Sequence, residues 1–61
     1  MDLFDPEPFW VIIPVAILKA ITKRERIELY LSYHSRGIVI ISYDTKSRRY
    51  ILNEKGVLKR L

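Results

Sequence analysis

Residues 26–34 read RIELYLSYH, and whether they form a strand or a helix decides the fold. Ile27, Leu29, Leu31 and Tyr33 alternate with Glu28, Tyr30, Ser32 and His34, the two-residue period of a half-buried strand. The same stretch also carries a helical pattern. Thr22 followed three positions later by Glu25 has capping-box spacing, and Ile27, Tyr30, Leu31 and His34 fall on one helical stripe. The strand is the preferred reading, because tyrosine, isoleucine and the strict alternation agree.

Downstream, Ser35-Arg36-Gly37 reads as a three-residue hairpin loop with glycine at the left-handed position, leading into the β-rich run IVIISY at 38–43. Asp44-Thr45-Lys46-Ser47 is a second turn, after which RRYIL returns, and Asn53-Glu54-Lys55-Gly56 signals a third. VLKRL, 57–61, then forms a short last strand or, with Asn53 as cap, a short helix that brings Val57, Leu58 and Leu61 together.

Turn length sets register. A three-residue loop at 35–37 pairs His34 with Ile38, Leu31 with Ile41 and Leu29 with Tyr43. A four-residue loop at 44–47 pairs Tyr43 with Arg48, Ile41 with Tyr50 and Val39 with Leu52. The expected core face is then Ile27, Leu29, Leu31, Tyr33, Val39, Ile41, Tyr43, Tyr50 and Leu52. The opposite face collects Glu28, Tyr30, Ser32, His34, Ser42, Arg49 and Asn53 around three isoleucines, Ile38, Ile40 and Ile51. Covering each isoleucine is worth about 1.5–3 kcal/mol, so these three are the expected interface.

Upstream, FWVIIPVAILKAI at 9–21 is the longest apolar stretch. Pro14 kinks or restarts a helix, giving a main helix from about residue 14 to 24 whose last turns, with Lys19, Lys23 and Arg24, complement the dipole. Val15, Leu18 and Ile21 then share one side. The stretch is too short to span a bilayer, which takes about 20 apolar residues, and its acidic flank is unlike that of a signal peptide. A buried helix is preferred over membrane-surface attachment. Asp5-Pro6-Glu7-Pro8 is a stiff opener, so residues 1–7 are expected to be irregular and a helix to begin no earlier than Pro8.

With 61 residues and no cysteine, the chain is one small domain without disulfide staples, compatible with a reducing cytoplasm. Eleven Lys and Arg against seven Asp and Glu give a net charge of +4, with Asp2, Asp5 and Glu7 all at the start. Beyond them the chain is more basic still, a balance that favours polyanionic partners. His34 is the sole histidine, with no cysteine to complete a nucleophilic or metal-binding set, and Asp44 and Glu54 fall in turns where carboxylates serve local hydrogen bonds. No enzyme, metal or cofactor is expected.

TKRER at 22–26 is the densest basic stretch, and Lys46, Arg48 and Arg49 crowd the hairpin tip. RGIVIISYDTKSRRYILNEKGVLKRL, 36–61, resembles the closing part of a winged-helix DNA-binding domain: strand, wing, strand, then L-N-E-K-G leading to a final helix. The resemblance implies that Lys46, Arg48 and Arg49 lie on the wing against DNA phosphates, and that Lys23 to Ser35 is the recognition helix.

The expected architecture is α+β, an N-terminal helix packed on a three- or four-stranded antiparallel meander, with a minimal winged helix as the alternative. The expected function is non-catalytic nucleic-acid binding, DNA or RNA, alone or within a nucleoprotein assembly. Lys23, Arg24, Arg26, Arg36, Lys46, Arg48 and Arg49 are the expected phosphate contacts. The alternative is a protein-interaction or homo-oligomerisation module using Ile38, Ile40 and Ile51.

Overall fold

Pro14 divides the apolar run into two elements. It lacks an N–H and disfavours helical backbone at Ile13, so the β-branched residues before it stay extended as β1 (Trp10–Ile12) and helix α1 (Val15–Ala20) starts just after it. The Pro14 carbonyl accepts from the amides of Ile17 and Leu18. The computed structural model describes residues 9–61. The Asp5–Pro8 opener and the acids Asp2, Asp5 and Glu7 lie outside the described residues.

The helix expected over 14–24 ends at Ala20, and a second begins at once. Helix α2 (Lys23–His34) overturns the strand reading of RIELYLSYH. Its capping box is complete: the Glu25 amide donates to Thr22 Oγ1 at 3.1 Å, and the Thr22 amide donates to Glu25 Oε1 at 3.2 Å. That closed first turn outweighs the alternation, since Ile27, Leu29, Tyr30 and Tyr33 also form a half-buried helical face.

Ser35-Arg36-Gly37 therefore ends a helix rather than joining two strands. The Ile38 amide donates to Tyr33 O and the Gly37 amide to His34 O, both at 2.9 Å. Gly37 has φ of 75°, so this is a Schellman stop with the left-handed glycine just beyond the cap. Glycine at the left-handed position was legible in the sequence; the element it terminates was not.

Strands β2 (Val39–Tyr43), β3 (Arg49–Leu52) and β4 (Leu58–Arg60) form an antiparallel meander, and β4 settles the strand-or-helix alternative for the last residues. β1 joins β2 in parallel, in the order β1-β2-β3-β4. The sheet is thus mixed, not purely antiparallel. A parallel pair needs a crossover connection, which is what α1 and α2 provide.

The β2–β3 register differs from expectation by one residue. The Asp44 amide donates to Arg48 O at 3.2 Å, so the loop proper is only Thr45-Lys46-Ser47, and Tyr43 pairs with Arg49, Ser42 with Tyr50 and Ile41 with Ile51. Ser47 supplies the left-handed residue that such a loop requires, with φ of 61°. A slip of one residue turns β2 over. Ile40 and Ser42 consequently share a face with Tyr50 and Leu52, while Val39, Ile41 and Tyr43 point the other way.

The core lies on the first of these faces. Leu18 of α1, Ile40 and Leu52 are buried together, with Val11, Leu29, Tyr30, Tyr33 and Leu58 packed around them. Ser42, fully buried beside them, has no partner for its hydroxyl. Both helices lie on this side, so the molecule has two layers.

Candidate nucleic-acid interface

The chemistry of the β2–β3 tip is set by Asp44. Its Oδ1 accepts from the amides of Lys46 at 2.8 Å and Arg48 at 2.9 Å, and Oδ2 lies 3.6 Å from Arg48 Nε. The hydrogen bond from the Arg48 amide holds the Asp44 carboxyl below its ordinary range; partial desolvation opposes it, and the Lys46 amide and the charges of Arg48 and Lys46 add to it. Lys46 is held at the apex, exposed, while half-buried Arg48 leans back on the carboxylate.

The β3–β4 tip repeats the arrangement. Asn53 Oδ1 accepts from the amides of Lys55 and Val57, and the Asn53 amide donates to Val57 O, with Gly56 as the left-handed residue. Each tip therefore presents a lysine at the same place, Lys46 in one and Lys55 in the other. Because β3 runs between them, the two tips stand at opposite ends of the sheet.

Lys23 and Arg24 are exposed in the first turn of α2. Arg26, half-buried, makes hydrogen bonds within the fold. Its Nε donates to Gly56 O at 2.7 Å and its Nη1 to Leu18 O at 3.0 Å and Ile21 O at 2.9 Å, binding the end of α1 to the β3–β4 turn. Carbonyl oxygens left over at a helix end need donors, and Arg26 supplies them. Its side chain is thus engaged within the fold while it also lines the groove beside Lys23.

The other expected contacts do not converge. Arg36, past the end of α2, donates through Nε to Ser32 O at 3.2 Å and stacks over the Tyr33 ring at 4.9 Å. Arg49 pairs with Tyr43 on the sheet face that the helices leave open. His34 stacks on Tyr30, with ring centroids 5.2 Å apart. Among the expected interface isoleucines, Ile40 belongs to the core at 3% exposure, because the register slip turned it inward. Ile38 and Ile51 are half-buried and line one groove together with Ile40, Tyr30, His34, Val39, Leu52 and Asn53.

Lys19 connects what the topology separates. One shallow groove is lined by Pro14, Val15, Ala16, Lys19, Tyr43, Asp44 and Thr45, at the β2–β3 tip. A second is lined by Lys19, Lys23, Arg26, Gly56, Val57 and Leu58, at the opposite end. Lys19 stands in both, beside the Asp44 carboxylate in the first and beside Lys23 and Arg26 in the second. The sequence marked Lys19 only as a complement to a helix dipole. Its role in joining the grooves follows from α1 lying lengthwise over the sheet, which no local pattern reports. Among the described residues no helix is long and apolar enough to cross a membrane. Compared with known proteins, the chain matches no family model, no curated protein and no solved structure.

Proposed function

We propose that the protein is a non-catalytic nucleic-acid-binding module that lays one phosphodiester strand along the flank of α1. The observation that carries this reading is the placement of Lys19 in both grooves, which turns two separate basic ends into a track. A five-residue strand spans about 17 Å, and one DNA strand places a phosphate every 3.4 Å or so along the duplex axis, so about five phosphates fit the track. Lys46, Lys19, Lys23 and Arg24 are the four contacts, and they position the backbone without reading bases. The winged-helix resemblance is consistent with the cationic start of α2 facing the ligand.

Fluorescence anisotropy with a labelled DNA duplex and an RNA hairpin tests this. Four phosphate contacts give a slope of log K against log salt of about −3.5 on duplex DNA. Lys19→Glu weakens binding at least about tenfold, whereas Lys59→Glu, an equal charge change on the open sheet face, alters it little. Salt-independent binding, or equal losses from the two variants, refutes the track.

A further inference from the structure

The pairing of β2 with β3 stops short of the strand ends. Registered pairs run from Tyr43–Arg49 to Ile41–Ile51, although β2 begins at Val39 and β3 continues to Leu52. Where the pairs stop, the groove that holds Ile38 and Ile51 is bounded by the two strand ends and by the last turns of α2, with a volume of about 260 Å³. Tyr30 and His34, one helical turn apart, supply its aromatic wall: their rings lie within 11° of parallel, with centroids 5.2 Å apart. The hydrogen-bonding atoms around this wall are unused. Among the described residues neither the Tyr30 hydroxyl nor the His34 imidazole has a hydrogen-bond partner, and Asn53, whose Oδ1 serves the Lys55 and Val57 amides, donates nothing through its Nδ2.

We infer that this groove receives one unpaired base of the bound strand, an inference that rests on the nucleic-acid reading above and adds a base contact to it. The β3–β4 turn selects that occupant. Gly56 and Val57 line the cationic groove of Lys19 and Lys23, and Asn53, at the start of the same turn, lines the aromatic one. The Gly56 amide donates to Asn53 O at 3.0 Å, so the two grooves are neighbours across a single tight turn whose apex carries the exposed Lys55. A phosphodiester backbone leaving Lys23 crosses Lys55 and arrives at the aromatic wall. Ring faces hold a flat heterocycle by stacking, whichever base it is. The free hydroxyl, imidazole and amide offer donors and acceptors to its polar edge. The volume falls below the roughly 300–1,000 Å³ of sites that enclose a drug-sized ligand, which suits a single ring system better than an extended cofactor. A base stacked and paired within a duplex cannot enter, so the groove favours single-stranded or looped nucleic acid.

Anisotropy titrations of the full chain with a labelled single strand, the same strand annealed as a duplex, and a single strand of abasic residues test the inference. At equal salt the normal single strand is expected to bind at least about fivefold more tightly than the abasic one, the worth of one base stacked on an aromatic ring. His34→Ala, at an exposed position, weakens binding of the normal single strand by a similar factor and leaves the duplex and the abasic strand unchanged, whereas Lys19→Glu weakens all three. In the unaltered protein, the ring current of the base shifts the methyl resonances of Ile38 and Ile51 when the normal strand is added, and the abasic strand leaves them in place. Salt-dependent binding that is equal for the normal and abasic strands, or a His34→Ala loss shared by the abasic strand, overturns this inference and leaves the cationic track standing. Absence of binding to all three ligands overturns both. Methyl shifts as large with a free mononucleotide as with the strand at equal concentration also overturn it, because the groove would then act without the track.

Discussion

Arg26 donates a 2.7 Å hydrogen bond to the Gly56 carbonyl, thirty positions away in the chain, while its other donors hold the last carbonyls of α1. One guanidinium thus connects both helices with the β3–β4 turn. A planar fork reaches three acceptors at once, and an ammonium group on a flexible stem does not.

Arg26→Lys accordingly lowers stability by about 1–3 kcal/mol, the scale of hydrogen bonds made by a charged donor, and Arg26→Ala by more. Urea denaturation followed by circular dichroism measures both. Because the side chain is engaged within the fold, the folded variant is expected to behave like the parent in the binding assay of the proposed function. A large affinity loss without destabilisation would return Arg26 to the contact surface.

The two left-handed glycines separate backbone strain from crowding. At Gly37 an added methyl meets nothing within 4 Å, whereas at Gly56 it comes to 2.9 Å from both Lys23 O and Ile27 Cγ1. Gly37→Ala costs about 1–2 kcal/mol, the left-handed penalty alone. Gly56→Ala costs more, because the start of α2 must move away from the turn. Thermal melts of the two variants side by side decide this, and equal shifts would show that the contact at Gly56 yields freely.

Asp44 gives the fold a dependence on pH. Its carboxyl is held below the usual value of 3.8, so its contribution is fully present above the unfolded value and is lost as pH falls through the lower folded value. Stability measured downward from pH 5 should decline in that window. Asp44→Asn keeps the side-chain acceptor, as Asn53 does in the companion turn, and should remove this part of the decline while changing little at neutral pH. An unchanged acid profile would place the dependence elsewhere.

The class of fold, the turn positions and the basic ends were readable because each depends on a local signal: Gly37 and Gly56, the Asp44 and Asn53 turns, the clustered cations. The misreadings have physical causes. Helix α2 has apolar side chains at Ile27, Leu29, Tyr30, Leu31 and Tyr33, almost all around its axis, and part of its packing comes from the polar head of Arg26; periodicity therefore favoured a strand, and only the Thr22–Glu25 box marked the helix. At the β2–β3 loop a serine took the left-handed position usually given to glycine. That substitution hid the loop length, and with it the side to which Ile40 and Ile41 point. Arg26 resembled its neighbours in TKRER because a sequence shows charge but not the carbonyls around it.

The parallel pairing of β1 with β2 also governs the order in which the chain assembles. The two hairpins close over short loops, whereas Trp10 and Val39 pair across both helices, and such non-local contacts are the slow ones. In stopped-flow refolding the indole signal should therefore trail the ellipticity change; synchronous traces would show that the first strand docks with the rest. On that outcome the sole tryptophan is a reporter of the last joint to close.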